Sequence, residues 1–142
     1  MSMNFDPIYQ EVILDHYKNP RNCKEIEGLS EKGHNASCGD KVEVITKIED
    51  GKIEDLSVCT KGCAICTASG SIMSEKVKGM DIEETMKFVE KVKKYFKGEL
   101  PEEEFDSIFE LKALSGVRKF PVRIKCALLP WITLENTLKK EE

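Results

Sequence analysis

The sequence predicts an α+β protein in which a small antiparallel sheet packs against several helices, with a metal site at one end. Three observations support this prediction. One segment, KVEVITKIEDGKIEDLSV, has the alternation of a strand, a turn and a second strand. Most other segments have helical periodicity. The cysteines cluster where the predicted elements begin or end. At 142 residues the chain suits one domain, spanning 1–142.

A helix is expected first, over residues 7–18, where apolar residues recur at helical spacing after Pro7. The pair Asn19-Pro20 should end it, because a residue before proline avoids the helical region. Residues 19–40 are rich in Asn, Gly, Ser and Lys and indicate a long loop.

A β-hairpin should follow the loop. Alternating residues from Val42 to Ile48 suggest a half-buried strand, Asp50-Gly51 a two-residue turn, and 53–58 the returning strand. Antiparallel pairing would bring the segment before the first strand close to the segment after the second. Cys59 and Cys63 follow that second strand.

Helices should make up the rest. A helix over 64–78 contains the small residues ASGS, which allow close packing, and a helix over 82–97 follows a possible capping box formed by Asp81 and Glu84. A short acidic helix from Pro101 to Leu111 and a basic connector over 113–120 come next. The last helix should start at Pro121, and Pro130 should bend or restart it.

Composition excludes several function classes. The net charge is −4, whereas nucleic-acid binding usually requires a basic face. No apolar run has the length of a membrane span, and the N-terminus lacks the pattern of a signal peptide. We therefore expect a cytoplasmic protein without nucleic-acid or membrane partners. In a reducing compartment its six cysteines indicate metal or sulfur chemistry more than disulfides.

The segment CTKGCAIC has the spacing C-x3-C-x2-C. Radical enzymes that use S-adenosylmethionine have this spacing, but they need a barrel longer than this chain. A zinc ribbon needs two C-x2-C pairs and only one is present. A dithiol oxidoreductase remains as a rival, although its C-x2-C motif normally lies in a βαβ unit.

Three cysteines are candidate ligands, each with a plain structural alternative. Cys38 lies in NASCGD, where Asp40 adds a carboxylate, but the segment could equally be a turn with a chance cysteine. Cys63 lies at a predicted helix N-terminus, which stabilises a thiolate, or is a small buried residue. Cys126 lies in VRIKCALL and, taken alone, is a core residue.

The other cysteines and the histidines have weaker signals. Cys23 is interpreted as incidental and Cys59 as a packed strand end. Cys66 follows Cys63 by about one helical turn and is a packed residue, a spare ligand or a resolving thiol. His34 could reach a metal from four residues before Cys38, whereas the other histidine, His16, is expected on the surface or packed.

Three segments together resemble a known family. NASCGD, KGCAICTASGSIMSE and KFPVRIKCALLPW are similar, in order, to the three cysteine motifs of the U-type iron–sulfur cluster assembly scaffolds, which comprise IscU, SufU and the N-terminal part of NifU. The opening FDPIYQEVILDHYKNPRN is similar to the N-terminal helix of that family. The resemblance runs from Phe5 to Leu138 and implies the SufE/NifU-like fold.

The resemblance implies an iron–sulfur cluster assembly scaffold rather than an enzyme. Such a protein receives sulfur from a cysteine desulfurase, builds a transient [2Fe–2S] cluster and transfers it to recipient apo iron–sulfur proteins. The ligands would be Cys38, Asp40, Cys63 and Cys126, with zinc as an alternative occupant. Cys126 and Cys38 are the candidate persulfide acceptors, if helix end and loop are exposed.

Two departures from the IscU pattern make the chain similar to the SufU branch. Lys125 stands where IscU proteins have a histidine, and the spacer before Cys126 is longer. The resemblance to that branch implies the alternative function of a zinc-bound sulfurtransferase, a persulfide-accepting partner of a cysteine desulfurase. KFPVRIKC only loosely resembles the Hsp70-binding motif, so no Hsp70 chaperone partner is expected.

Overall fold

The computed structural model describes residues 7–36, 39–106 and 108–140. Three antiparallel strands form one sheet in the order β1-β2-β3: β1 spans Leu29–Asn35, β2 spans Asp40–Glu49 and β3 spans Lys52–Lys61. Lys41 of β2 is opposite both His34 and Lys61. The start of β2 and the end of β3 therefore meet, as the hairpin prediction requires.

The predicted turn at Asp50-Gly51 is confirmed. Both residues have positive φ, 53° and 73°, which is the conformation of a type I′ turn and matches the twist of a hairpin. One register shift, between Lys47 and Ile48, marks a local irregularity in the pairing.

Strand β1 corrects the prediction of one long loop over residues 19–40. Its sequence, LSEKGHN, has few of the β-branched and aromatic residues that mark a strand, so propensity gave no signal. Pairing with β2 along one edge and packing under a helix on one face hold it in place. A Cβ at Gly33 would lie 2.1 Å from Thr133 Oγ1, so this close approach requires glycine.

Five α-helices accompany the sheet among the residues described, and the predicted bounds are mostly correct. The predicted 101–111 helix is wrong as one unit, because a 3₁₀ turn at Glu102–Phe105 precedes a separate α-helix, and a second 3₁₀ turn occupies Ser115–Lys119. The helices are α1 (Pro7–Lys18), α2 (Ala64–Val77), α3 (Ile82–Phe96), α4 (Phe109–Ala113) and α5 (Pro121–Lys139).

The predicted capping box at Asp81 is wrong, and of the two outcomes predicted at Pro130, a bend or a restart, the restart is wrong. The Asp81 side chain makes no capping hydrogen bond to α3, and the Thr85 hydroxyl instead donates to the Asp81 carbonyl at 2.8 Å. Helix α5 continues past Pro130 and does not restart there. Pro130 is buried in α5, and this helix packs on α2 and the sheet although proline removes one of its hydrogen bonds.

Helices α2 and α5 cover the inner face of the sheet, and α1 packs on α2. The small residues of α2 permit the close packing that the sequence predicted. A Cβ at Gly70 would lie 3.0 Å from Val58 of β3. His16 of α1 is buried, and its Nδ1 lies 2.7 Å from Ser71 Oγ of α2.

No helix within residues 7–36, 39–106 and 108–140 has both the length and the apolar character needed to span a bilayer.

Candidate metal centre

The candidate centre lies where β2 begins and β3 ends. Asp40, the first residue of β2, has its side chain on the inner face and is fully buried. A buried carboxylate needs hydrogen-bond donors or a cation. The backbone N–H of Cys63 donates to Asp40 Oδ1 at 2.8 Å and supplies one of them.

Cys63 is the N-cap residue of α2. Its Sγ accepts a hydrogen bond from the Cys66 backbone N–H at 3.5 Å, in the first turn of the helix. Its Sγ also lies 3.7 Å from Asp40 Oδ2. Cys63 is half-buried, and the prediction that it lies at a helix N-terminus is confirmed.

Gly62 permits the close approach of Asp40 to the end of β3. Its φ is +153°, and a Cβ at this position would lie 2.1 Å from Asp40 Oδ1. Any side chain here would displace the carboxylate, so the glycine is part of the site's construction.

Cys126 reaches the same point from α5. It is fully buried, with its Sγ 3.6 Å from the Val122 carbonyl oxygen and 3.8 Å from Asn35 Nδ2. Asn35 ends β1, and sequence reasoning did not identify it as part of the site. Only the pairing of Asn35 with Asp40 across β1 and β2 reveals its position.

One ligand atom each from Asp40, Cys63 and Cys126 lies within 4.8 Å of the others. Ligands at about 2.3 Å from a tetrahedral ion lie roughly 3.8 Å from each other. The 3.7 Å between Cys63 Sγ and Asp40 Oδ2 matches that edge. Two sulfur atoms and a carboxylate therefore fit a zinc ion, and thiolates also suit an iron–sulfur cluster.

The other predicted site residues are placed as follows. Cys38 lies outside the described residues, two positions before Asp40. His34 lies on the outer face of the sheet, because its neighbour across the strands is the exposed Lys41. Cys66 is buried, and its backbone N–H contacts Cys63 while its side chain is not in the ligand cluster.

The interpretation of Cys23 as incidental is wrong. Cys23 and Cys59 form a disulfide with a Cα–Cα distance of 4.9 Å. Cys59 is on the outer face of β3, since its neighbours Val58 and Thr60 face α2. The expectation of metal chemistry rather than disulfides therefore fails for this pair. Their separation of 36 residues hid the pairing from local sequence analysis.

An open groove leads to the half-buried Cys63. It has a volume of about 310 Å³ and runs between α1, the start of α2 and α5. Leu14, which lines this groove, is 47% exposed, and Val122, which lines another concavity that includes Cys63, is 56% exposed, so the surface around the thiol is partly apolar. A partner protein could contact this surface and reach Cys63. The lining residues are Gln10, Ile13, Leu14, Cys63, Ala64, Ile65 and Arg123.

Comparison with known proteins gives consistent matches. The family described as NifU-like N terminal domain matches residues 8–127. The zinc-dependent sulfurtransferase SufU of Bacillus subtilis (strain 168) is 39% identical, over 98% of this chain and 95% of that protein. The iron–sulfur cluster assembly scaffold protein IscU of Thermotoga maritima is 35% identical, over 97% of each.

A solved structure of a similar protein has the same fold. The putative iron–sulfur cluster assembly scaffold protein for the SUF system from Fervidobacterium islandicum AW-1 superimposes with a TM-score of 0.83 at 32% identity. The superposition covers 92% of this chain and 96% of that one. The α+β prediction, with its antiparallel sheet under helices, is confirmed by the strands, the helices and this likeness.

Proposed function

Because the chain belongs to the NifU-like N-terminal domain family of U-type scaffolds, we propose that it accepts sulfur from a cysteine desulfurase at a metal-centred cysteine site. The accepted sulfur then enters iron–sulfur cluster assembly. The observation that carries this proposal is the convergence of Asp40, Cys63 and Cys126 within 4.8 Å. Cys38 completes the proposed ligand set.

Zinc is the proposed resting occupant. The spacing of Cys63 and Asp40 fits one tetrahedral ion without rearrangement. Hard and soft donors together, one carboxylate and three thiolates, give a closed four-ligand shell of the kind that zinc takes. The similarity to a zinc-dependent sulfurtransferase supports the same choice. A bound zinc ion would hold its cysteines as thiolates, which are the nucleophilic form.

Sulfur transfer requires that one ligand thiolate attack a desulfurase persulfide. Cys126 is fully buried, contrary to the expectation of an exposed helix end, so attack by Cys126 requires the site to open. Cys38 therefore remains the first candidate acceptor. We propose that the desulfurase docks over the partly apolar groove beside Cys63 and places its persulfide at this end of the fold.

We propose that the Asp40 carboxylate, unlike the cysteines, is a ligand that dissociates during sulfur transfer. Its Oδ1 is held by the Cys63 N–H, so Oδ2 is directed toward the ligand cluster. A carboxylate binds zinc less tightly than a thiolate would in the same position. Asp40 is thus the ligand that can leave when a cysteine takes up sulfur, and it can return afterwards.

A scaffold that assembles a transient [2Fe–2S] cluster on the same residues is the second candidate. Its support is the similarity to the Thermotoga IscU protein. In this form the cluster is cargo for recipient apo-proteins, and Asp40 would make its release easier. Substituting Asp40 by Ala should then lengthen the lifetime of the cluster. An unchanged or shorter lifetime would remove that role from Asp40.

Metal analysis of the whole protein, purified without oxygen, separates the two candidates. For the zinc form we expect one tightly held zinc, faster alanine release by a cysteine desulfurase, and one added sulfur atom on a site cysteine by mass spectrometry. No cluster should form when iron and L-cysteine are added. An optical spectrum of a [2Fe–2S] cluster with little zinc would favour the scaffold. Neither zinc nor cluster, with no sulfur uptake, would contradict both.

A further inference from the structure

The Cys23–Cys59 disulfide lies on the opposite face of the sheet from the metal centre. Cys23 is exposed and Cys59 is half-buried. Both line an open concavity of about 580 Å³ over the outer face of the strands. A small molecule can therefore reach the disulfide from solvent.

The concavity is basic although the chain as a whole is acidic. It is lined by one lysine from each strand, namely Lys32, Lys41 and Lys61. Among the described lining residues, Glu43 provides the carboxylate. The chain's net charge is −4. Lys61 is two residues from Cys59 on the same face of β3, whereas Glu43 is opposite Cys59 and separates it from Lys32. Three ammonium groups against one carboxylate leave the concavity net positive, which attracts anions. The surface thus favours an anionic thiol over a cationic one.

Ser57 distinguishes the two sulfur atoms of the disulfide. Its Oγ lies 3.6 Å from Cys59 Sγ, and the same Oγ accepts a hydrogen bond from the Lys24 backbone N–H at 3.0 Å. Because a disulfide sulfur carries no hydrogen, only the Ser57 hydroxyl can donate in the contact between Ser57 Oγ and Cys59 Sγ. A Cys59 thiolate would be stabilised by this bond, which makes Cys59 the better leaving group.

From these contacts we propose that Cys23 and Cys59 form a redox-active pair that exchanges with small thiols bearing carboxylates. The thiolate attacks the exposed Cys23 Sγ and forms a mixed disulfide, while the Cys23–Cys59 bond breaks and the electron pair leaves on Cys59 Sγ. A second thiolate attacks the small-molecule sulfur and releases the Cys23 thiolate. Two thiols are oxidised to one disulfide, the protein disulfide is reduced to two cysteines, and the two protons pass from the thiols to the cysteines.

Peptide mapping of the whole protein, with its metal bound, tests whether the pair titrates. The protein is equilibrated with mixtures of reduced and oxidised glutathione, quenched in acid and alkylated. We expect the linked Cys23–Cys59 peptides to appear as oxidised glutathione increases, with unchanged metal content. Two alkylated cysteines at every ratio, or a disulfide that no ratio reduces, would overturn the proposal. Neither result bears on sulfur acceptance at the metal centre.

The charge preference is tested by reduction kinetics. At low salt and equal thiolate concentration, anionic glutathione should reduce the pair roughly three- to tenfold faster than cationic cysteamine, and salt should diminish the difference. Lys32→Gln should lower the glutathione rate, whereas Lys87→Gln, at an exposed lysine of α3 that does not line the concavity, should not. Equal rates for both thiols, or equal effects of the two variants, would contradict a built anionic site.

The order of attack has its own test. In Cys59→Ser, oxidised glutathione should form a stable mixed disulfide on Cys23. Ser57→Ala should slow reduction of the wild-type pair several-fold, and Ser57→Thr should restore it because the hydroxyl is kept. Circular dichroism checks that each variant is folded. Exchange at an unchanged rate in folded Ser57→Ala would show that Cys59 is not the assisted leaving group.

Discussion

The meeting point of β2 and β3 has cysteines on both faces of one sheet. On the inner face, Cys63 lies near the buried Cys126 and the carboxylate of Asp40, under two helices. On the outer face, Cys59 is joined to the exposed Cys23 in a basic concavity. Cys59 and Cys63 are four positions apart and both half-buried, yet Cys59 is in a disulfide beside lysines, whereas Cys63 faces a buried carboxylate and a buried thiol.

This difference shows that the face of the sheet on which a cysteine lies, set by strand alternation, indicates its chemistry better than its spacing from other cysteines does. Successive side chains of β3 point to opposite faces, so Cys59 faces solvent while Val58 faces α2. Gly62 then redirects the chain, and Cys63 begins a helix on the inner side. CTKGCAIC is therefore not one motif but parts of two separate sites.

The largest expected effect comes from removing an inner-face ligand. Cys63→Ser should weaken zinc binding by more than roughly a hundredfold, since even the loss of a residue that only supports a ligand costs about 10–100-fold. Chelator competition measures this change. Cys66→Ala is the matched control, because its side chain is one helical turn away and outside the ligand cluster. Equal losses in both variants would place Cys66 among the ligands.

On the outer face, removal of the disulfide should affect stability and not metal affinity. Cys23→Ser should lower the free energy of unfolding by about 2–4 kcal/mol under oxidising conditions, because the bond restricts the unfolded chain. Urea denaturation measures it, and wild-type protein with a strong thiol reductant should match the variant. A drop in zinc affinity to the level of Cys63→Ser would show that the two faces are coupled.

Gly62→Ala tests how the inner site is built. Its Cβ would collide with the Asp40 carboxylate, so zinc affinity should fall together with stability. Gly51→Ala is the control: its φ is +73° and no atom lies within 4 Å of the added Cβ. We expect it to cost only the backbone strain of about 1–2 kcal/mol with unchanged zinc affinity. If Gly62→Ala keeps its zinc, Asp40 is not a required ligand.

The smallest expected effect belongs to His16, which is neither in the ligand cluster nor in the lining of the outer concavity. Burial lowers its pKa, with the nearby Arg21 charge acting in the same direction. As the pH falls, the His16 imidazole therefore binds a proton at a higher pH in the unfolded chain than in the folded protein. The free energy of unfolding should decrease as pH falls below about 6.5 toward the folded-state pKa. His16→Gln should remove this part of the pH dependence of urea unfolding. An identical pH profile in the variant would rule out the contribution of His16.

Much of the fold could be predicted because it depends on local patterns. The hairpin has a turn that only positive φ satisfies, and α1 has clear apolar spacing with a proline after its end. Strand β1 could not be predicted, since an edge strand of polar residues owes its structure to β2 and α5 rather than to its own propensity.

The residues of the metal site could be predicted from the sequence only when they were considered together. Asp40, Cys63 and Cys126 each have a plain structural explanation, and the family resemblance joined them before the geometry did. Two features depended on long-range contacts that no local pattern encodes. These are the approach of Asn35 to Cys126 and the pairing of Cys23 with Cys59.

X-ray absorption at the zinc edge of the whole protein tests the central claim most directly, because it counts the atoms bound to the ion. The account predicts three sulfur ligands at about 2.3 Å and one oxygen at about 2.0–2.2 Å, from the three proposed cysteines and Asp40. In Asp40→Ala, the zinc ion should lose its carboxylate oxygen ligand and keep its three sulfur ligands. Four sulfur ligands in the wild-type protein, or a histidine nitrogen, would contradict it.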